Sequence, residues 1–411
     1  MTPFLQLALA LAIIILAAKL GGYVSYRLGQ PSVLGELLVG ILIGPTVIDL
    51  LHLSYFTDEH LGEVVHDLAE IGVLLLMFIA GIDLHLSDLS RSRKVALYAG
   101  VLGVIVPLSL GVISGLFFSF SFSSAIFLGL ILSATSVSIS AQTLMELKVL
   151  RSKVGVSMLG AAVFDDILVV LGLSAFLAVA LSGGGNGWVD FLWILLRMIL
   201  FLGLTSIIGY WLLPKLAAKF HDLPVSQGLF AFTFVTILAY GWIAEEIGRM
   251  AAITGAFLAG LWLARSPLKD RIVSGISVLA YAVFVPIFFV NIGLIADVST
   301  LWGEDLVFLL VIFLIAVVGK ILGAGLGGYF GGLSRREAFQ LGVGMISRGE
   351  VGLIVASVGI AEGFIPQNLF AAVVGMVILT TLITPPFLRI LFMERPEKRL
   401  RTEEIEEKEV I

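Results

Sequence analysis

Long apolar stretches, each close to one bilayer thickness, alternate with short polar connections along almost the whole chain. About 20 mostly apolar residues make a helix that crosses the hydrocarbon core. Thirteen stretches qualify, at roughly 4–26, 32–50, 67–85, 95–118, 123–146, 155–182, 190–214, 226–246, 251–265, 275–296, 304–329, 337–361 and 368–392. The ninth is short. The pattern predicts an all-α polytopic membrane protein of about 13 transmembrane helices, with residues 393–411 as a short charged tail. The first stretch lacks a basic leading region, so it reads as a membrane helix rather than a cleaved signal.

Lys and Arg in the connections set the orientation, because cytoplasmic loops hold an excess of them. A cytoplasmic C-terminus places Arg27, Arg91, Arg93, Lys94, Lys148, Arg151, Lys153, Lys215, Lys219, Arg265, Lys269, Arg271, Arg335 and Arg336 on one side with the tail. Arg249 falls on the other. The expected arrangement has the N-terminus outside, in a prokaryotic plasma membrane, with the GGGNG turn at 183–187 also outside.

Composition agrees: 59% of the 411 residues are hydrophobic, 13% are charged, and the mean hydropathy is +1.09. The net charge of -5 gives no reason to expect nucleic acid. The absence of cysteine rules out disulfides, thiol catalysis and Cys metal sites. No Walker A, HExxH or GxSxG pattern occurs, so the chain reads as a non-enzyme without cofactors, driven by a gradient.

Against that apolar background, Asp165 and Asp166 stand side by side in the sixth span, the only charges in residues 155–181. Each carboxylate at mid-bilayer costs about 2.5–3.5 kcal/mol. Intramembrane ionisable groups mark ion and proton pathways. The fifth span contains SATSVSIS, with Ser133, Thr135, Ser136, Ser138 and Ser140. Its hydroxyls compete with the helix for backbone hydrogen bonds. The twelfth contains GVGMISRGEVG, with four glycines, Arg348 and Glu350. Both read as interrupted helices, one in each half of the chain, a pattern that points to a transporter site near the midplane. Close helix packing is the other reading.

Lys320, deep in the eleventh span, is the expected counter-charge. Neighbouring residues on a helix point about 100° apart. One aspartate can therefore face Lys320 while the other faces a cavity. A static buried ion pair is the alternative. Arg348 and Glu350 are expected to offset the dipoles of half-helices rather than bind ions. Glu36, Glu70 and Asp83 read as wetted carboxylates near span ends. Gly40–Gly44 and Gly323–Gly327 read as helix contacts. His52, His60 and His66, in or beside the connection at 51–66, could sense pH or hold a metal, although a solvated loop is the simpler reading. Oxygen ligands suit Na+. A carboxylate in a low dielectric also holds a proton more tightly than in water. One carboxylate can thus hold Na+ or H+, and competition for it gives exchange.

Several stretches together resemble the monovalent cation:proton antiporters, the branch with NapA-type sodium/proton exchangers and Kef-type potassium systems. They are QPSVLGELLVGILIGP (30–45), LAEIGVLLLMFIAGID (68–83), SATSVSISAQTLMELKVL (133–150), LGAAVFDDILVV (159–170), ITGAFLAGLWLA (253–264), PIFFVNIGL (286–294) and MISRGEVGLIVA (345–356). The resemblance implies an inverted-repeat antiporter fold with two crossed broken helices. A core bundle is implied at about 95–182 and 304–392, and a dimerisation bundle at about 4–85 and 190–296. It makes Asp166 the ion-binding carboxylate, Asp165 the variable position before it, Lys320 its pairing lysine, and Thr135 and Ser136 the first crossover. Asp–Asp goes with electrogenic Na+/H+ exchange. Kef-type systems tend to carry Gln–Asp and a large nucleotide-binding tail, which this chain lacks. The expectation is a homodimeric Na+/H+ antiporter that also takes Li+, works by an elevator-like core movement, and holds Na+ at Asp166 and Asp165. K+/H+ exchange is the alternative, with a gated cation channel further off.

Overall fold

The structure, a computed structural model, describes residues 1–84, 91–181, 187–294, 304–361, 363–365 and 367–392. The charged tail and all but the last residue of the GGGNG turn lie outside the described residues, as does the side chain of Glu350. The described chain is helical: α1 (Pro3–Arg27), α2 (Ser32–Ile43), α3 (Leu61–Asp83), α4 (Arg93–Phe117), α5 (Phe122–Ser133), α6 (Val137–Glu146), α7 (Lys153–Leu181), α8 (Gly187–Trp211), α9 (Leu213–Asp222), α10 (Gly228–Trp242), α11 (Ala252–Leu263), α12 (Lys269–Leu279), α13 (Val285–Leu294), α14 (Glu304–Phe330), α15 (Arg335–Gly344), α16 (Glu350–Ala361) and α17 (Gln367–Phe392).

Ten helical runs are long and apolar enough to cross a membrane, Phe122–Glu146 counting as one across its break. Two apolar helices, Ser32–Ile43 and Ala252–Leu263, are shorter. The broken pair α15–α16 corresponds to the twelfth stretch, so each of the thirteen predicted stretches has a helical counterpart. Three details differ from expectation, the first being that Glu36, expected to be a wetted carboxylate, is buried within α2. The tenth span starts at Lys269 rather than near 275, because its first turn, Lys-Asp-Arg, is too polar to register as membrane. It then continues through a π-helical turn at Ala280–Phe284 into α13. The connection carrying Lys215 and Lys219 is itself a helix, α9, which buries Leu213 and Ala217 on one face.

The helices pack in two groups. In one, α4 lies against α5, α7 and α14, while α15 and α17 lie against α14. In the other, α3 packs on α11 and α13, α2 on α1 and α13, and α10 on α11. Both predicted GxxxG spacings are contact faces. A Cβ at Gly40 would come within 2.4 Å of the Val290 carbonyl oxygen, and one at Gly323 within 2.4 Å of that of Leu102. Only glycine allows these backbones so close, so α2 lies on α13 and α14 on α4 at small-residue faces.

Candidate ion-binding site

The chain leaves the helix at Ala134–Ser136, between α5 and α6, and again at Met345–Gly349, between α15 and α16. Exposed backbone polar groups at membrane depth are tolerable only where protein satisfies them. Here the two breaks satisfy each other. The Ser136 N–H donates to the Ser347 carbonyl at 2.8 Å. The Ser347 hydroxyl donates to the Ser136 carbonyl at 2.6 Å, and the Ser140 hydroxyl to the Gly344 carbonyl at 2.6 Å. A Cβ at Gly349 would sit 2.6 Å from the side chain of Ser136, so glycine is what permits the crossing.

Arg348 is fully buried at this crossing. Its Nη2 donates to the carbonyls of Leu132 (2.8 Å) and Ala316 (3.1 Å). Its Nη1 donates to those of Ile346 (2.9 Å) and Met345 (3.2 Å). Leu132 lies in the last turn of α5, and Met345 and Ile346 directly follow α15. One guanidinium therefore meets the negative C-terminal ends of both half-helices, where a cation is favoured. Thr380 and Thr381 of α17 hold its backbone, one accepting from its N–H at 3.3 Å and the other donating to its carbonyl at 2.8 Å. Glu350 opens α16, and nothing further is described of it. The Ser133 hydroxyl bonds the Gly129 and Val104 carbonyls at 2.8 and 3.2 Å, which ties α5 to α4.

The acidic pair sits on α7. Asp165 is fully buried, and both its oxygens accept from Lys320 Nζ of α14, at 2.9 and 3.0 Å. The Thr135 hydroxyl in the first break also donates to Asp165. Asp166 turns the other way, as the angle between helical neighbours requires. It is 6% exposed and lies 3.5 Å from the Thr254 hydroxyl, in the second helix group. The structure thus brings Asp165, Lys320 and Thr135 into one bonded cluster and puts Asp166 on the seam between groups. The Ser136 hydroxyl pairs with Ser138 at 3.0 Å.

Thr254 was not singled out from the sequence. A threonine in the first turn of an apolar helix carries no signal of its own, and only its spacing from Asp166 in three dimensions marks it. Arg197, inside α8, was also passed over. It lies 5.5 Å over the Trp193 ring.

The histidines do not gather. His52 pairs with Asp49 (2.7 Å), His60 with Glu63 (3.0 Å) and His66 with Glu70 (3.5 Å). No group of three metal-ligating side chains occurs among the described residues. The hydrogen bond to Glu63, then the charges of Glu63, Asp58 and Glu59, hold His60 above the usual imidazole range. His66 also faces the buried Asn291 amide at 3.0 Å.

Comparison with known proteins gives one answer. The family described as sodium/hydrogen exchanger, transmembrane, matches residues 12–394. The chain is 39% identical over 382 residues to the Na(+)/H(+)-K(+) antiporter GerN of Bacillus cereus, covering 93% of this chain and 95% of GerN. It is 36% identical to the Na(+)/H(+) antiporter of Enterococcus hirae, covering 92% and 96%. Among solved structures, the sodium proton antiporter MjNhaP1 of Methanocaldococcus jannaschii has the same fold, with a TM-score of 0.65 at 18% identity over 94% of this chain and 96% of that one. The chain belongs to the transmembrane sodium/hydrogen exchanger family.

Proposed function

We propose that this Na+/H+ antiporter carries its ion on Asp166, with Asp165 and Lys320 as the charge pair that answers ion binding. One observation carries the reading. Two adjacent carboxylates have opposite surroundings, Asp165 enclosed by Lys320 and Thr135, Asp166 on the seam beside Thr254. A group that loads and releases an ion has to lie where an access path can reach it, and the seam is such a place. Na+ draws oxygen ligands from the Asp166 and Asp165 carboxylates, with the Thr135 and Thr254 hydroxyls in reach. As Na+ takes a share of Asp165, the bond to Lys320 breaks. Desolvation then disfavours the lone ammonium. Lys320 releases a proton in addition to the one from Asp166, and the cycle moves net charge.

The group holding α4–α7 and α14–α17 is the moving core. The group around α2, α3, α11 and α13 is the scaffold through which two copies form a homodimer in the lipid bilayer. The core slides against it to show Asp166 to either face in turn. The basic connections place the N-terminus outside and the C-terminus in the cytoplasm of a plasma membrane.

The test is purified protein in liposomes with an imposed pH gradient. Na+, Li+ and K+ are added in turn, and proton movement is followed by dye dequenching. Asp166→Asn keeps the size and removes the titrating charge, so it should fold and abolish Na+-driven proton movement. Normal transport by that variant would remove Asp166 from the mechanism, and a larger response to K+ than to Na+ would change the substrate.

A further inference from the structure

The far end of the first broken helix does something the ion site does not require. α6 ends at Glu146, and its carboxylate crosses the seam to α2. One oxygen accepts from the Ser32 N–H at 2.7 Å. The other accepts from the Ser32 hydroxyl at 2.5 Å and from Gln142 of its own helix at 2.9 Å. Ser32 is the first residue of α2, and the residue before it, Pro31, makes no side-chain cap. The first N–H groups of a helix need outside acceptors and favour negative charge. α2 thus takes its N-terminal cap from the other helix group.

More contacts cross the seam at this same end. Arg151, just after α6, donates to Asp83 at the end of α3, at 2.5 Å. The Tyr281 hydroxyl lies 3.8 Å from Met145 Sδ. The α1–α2 turn reaches α17 here, since a Cβ at Gly29 would lie 2.7 Å from the guanidinium of Arg389. Arg27, Arg151 and Lys153 place this end on the basic side of the protein.

We propose that Glu146 is a positioning residue of the transport cycle, a latch that holds the core to the scaffold on the basic side and has to release Ser32 each time the seam opens there. The idea rests on the reading that the two groups move. Cap and charge act together, so Glu146 favours the state closed on this side. Losing it shifts the balance toward the open state by a factor of about five, the usual worth of one helix cap.

The absence of native cysteine makes the test clean. Leu37 is 2% exposed and lines a small apolar cavity at the seam with Ile378 and Leu382. With Leu37→Cys as reporter, Glu146→Ala should raise the labelling rate by a water-soluble thiol reagent about fivefold. Glu146→Gln, which keeps an acceptor oxygen, should give a smaller rise. In a second arm, Ser32→Cys and Glu146→Cys are joined by a short bifunctional thiosulfonate. Joining should stop exchange, and reduction should restore it. Unchanged labelling in Glu146→Ala, or full exchange by the joined protein, would overturn the latch. Neither result bears on Asp166, whose role stands or falls with Asp166→Asn.

Discussion

The two helix breaks cross each other but differ in length and in the side chains they carry. The first is lined by hydroxyls, and one of them, Thr135, reaches the buried Asp165. The second carries Ser347, Gly349 and Arg348, whose guanidinium donates to four backbone carbonyls. A pair of crossed half-helices presents two C-terminal ends and two N-terminal ends. Arg348 meets both C-terminal ends, so one side chain from the second break settles the electrostatics of both. The first break keeps its Thr135 hydroxyl for Asp165. The two breaks thus divide the work, one supplying a guanidinium to backbone carbonyls and the other a hydroxyl to Asp165.

The largest test of that division is Arg348→Ala. Four carbonyls lose their donor, and a buried polar group left unpaired costs about 1–3 kcal/mol. Several together rival the whole stability of an ordinary domain, about 5–15 kcal/mol. The expected result is a collapse in the yield of folded protein in detergent, measured by size-exclusion chromatography. Arg348→Lys should not rescue it, since an ammonium has three donors and no planar fork. A well-folded Arg348→Ala would mean that the breaks satisfy their own ends.

Next comes Lys320→Gln, which leaves Asp165 buried without its cation. Breaking one partner of a buried pair costs about 3–5 kcal/mol. The melting temperature should fall, and Lys320→Gln with Asp165→Asn should recover part of the loss. In liposomes, surviving exchange by Lys320→Gln should no longer respond to membrane potential. Unchanged voltage dependence would make the lysine structural.

Gly349→Ala comes third. Its Cβ would have to push Ser136 away from 2.6 Å, at the 1–3 kcal/mol typical of about one overpacked methyl. A drop in melting temperature without altered ion preference is expected, because the crossing and not the site is disturbed. The smallest effect belongs to Thr254→Val. At 3.5 Å its hydroxyl contact with Asp166 is weak. The half-maximal Na+ concentration should rise by about two- to fivefold, with maximal rate little changed.

Much of this was legible in the chain before any coordinates. A carboxylate pair without a cation in its own apolar span, residues 155–181, demanded a partner elsewhere, and Lys320 was the buried candidate. Runs of Ser/Thr and of Gly at membrane depth announced both breaks. The helical twist required the two aspartates to point apart, and the family resemblance implied that Asp165 is the one facing Lys320. The individual carbonyls that Arg348 reaches were not legible, because Leu132 and Ala316 look like any other apolar residues. Thr254 and Glu146 escaped for a related reason. Each contributes through a contact with a distant helix, and periodicity along one helix says nothing about that. The polar first turn of α12 and the amphipathic α9 were missed because a search for membrane spans discounts charged turns.

The bond from Arg348 to Leu132 also has a consequence for how the protein is made. The two residues are 216 positions apart. At a synthesis rate of about 5–20 residues per second, Arg348 follows Leu132 by roughly 10–40 seconds. Once the first broken helix has left the ribosome, its C-terminal carbonyls wait for the guanidinium that later serves them. Water, the translocation machinery or a chaperone has to cover them meanwhile. Ribosomes stalled between these two positions should therefore hold a nascent chain with the first break open to solvent, and release past residue 348 should close it.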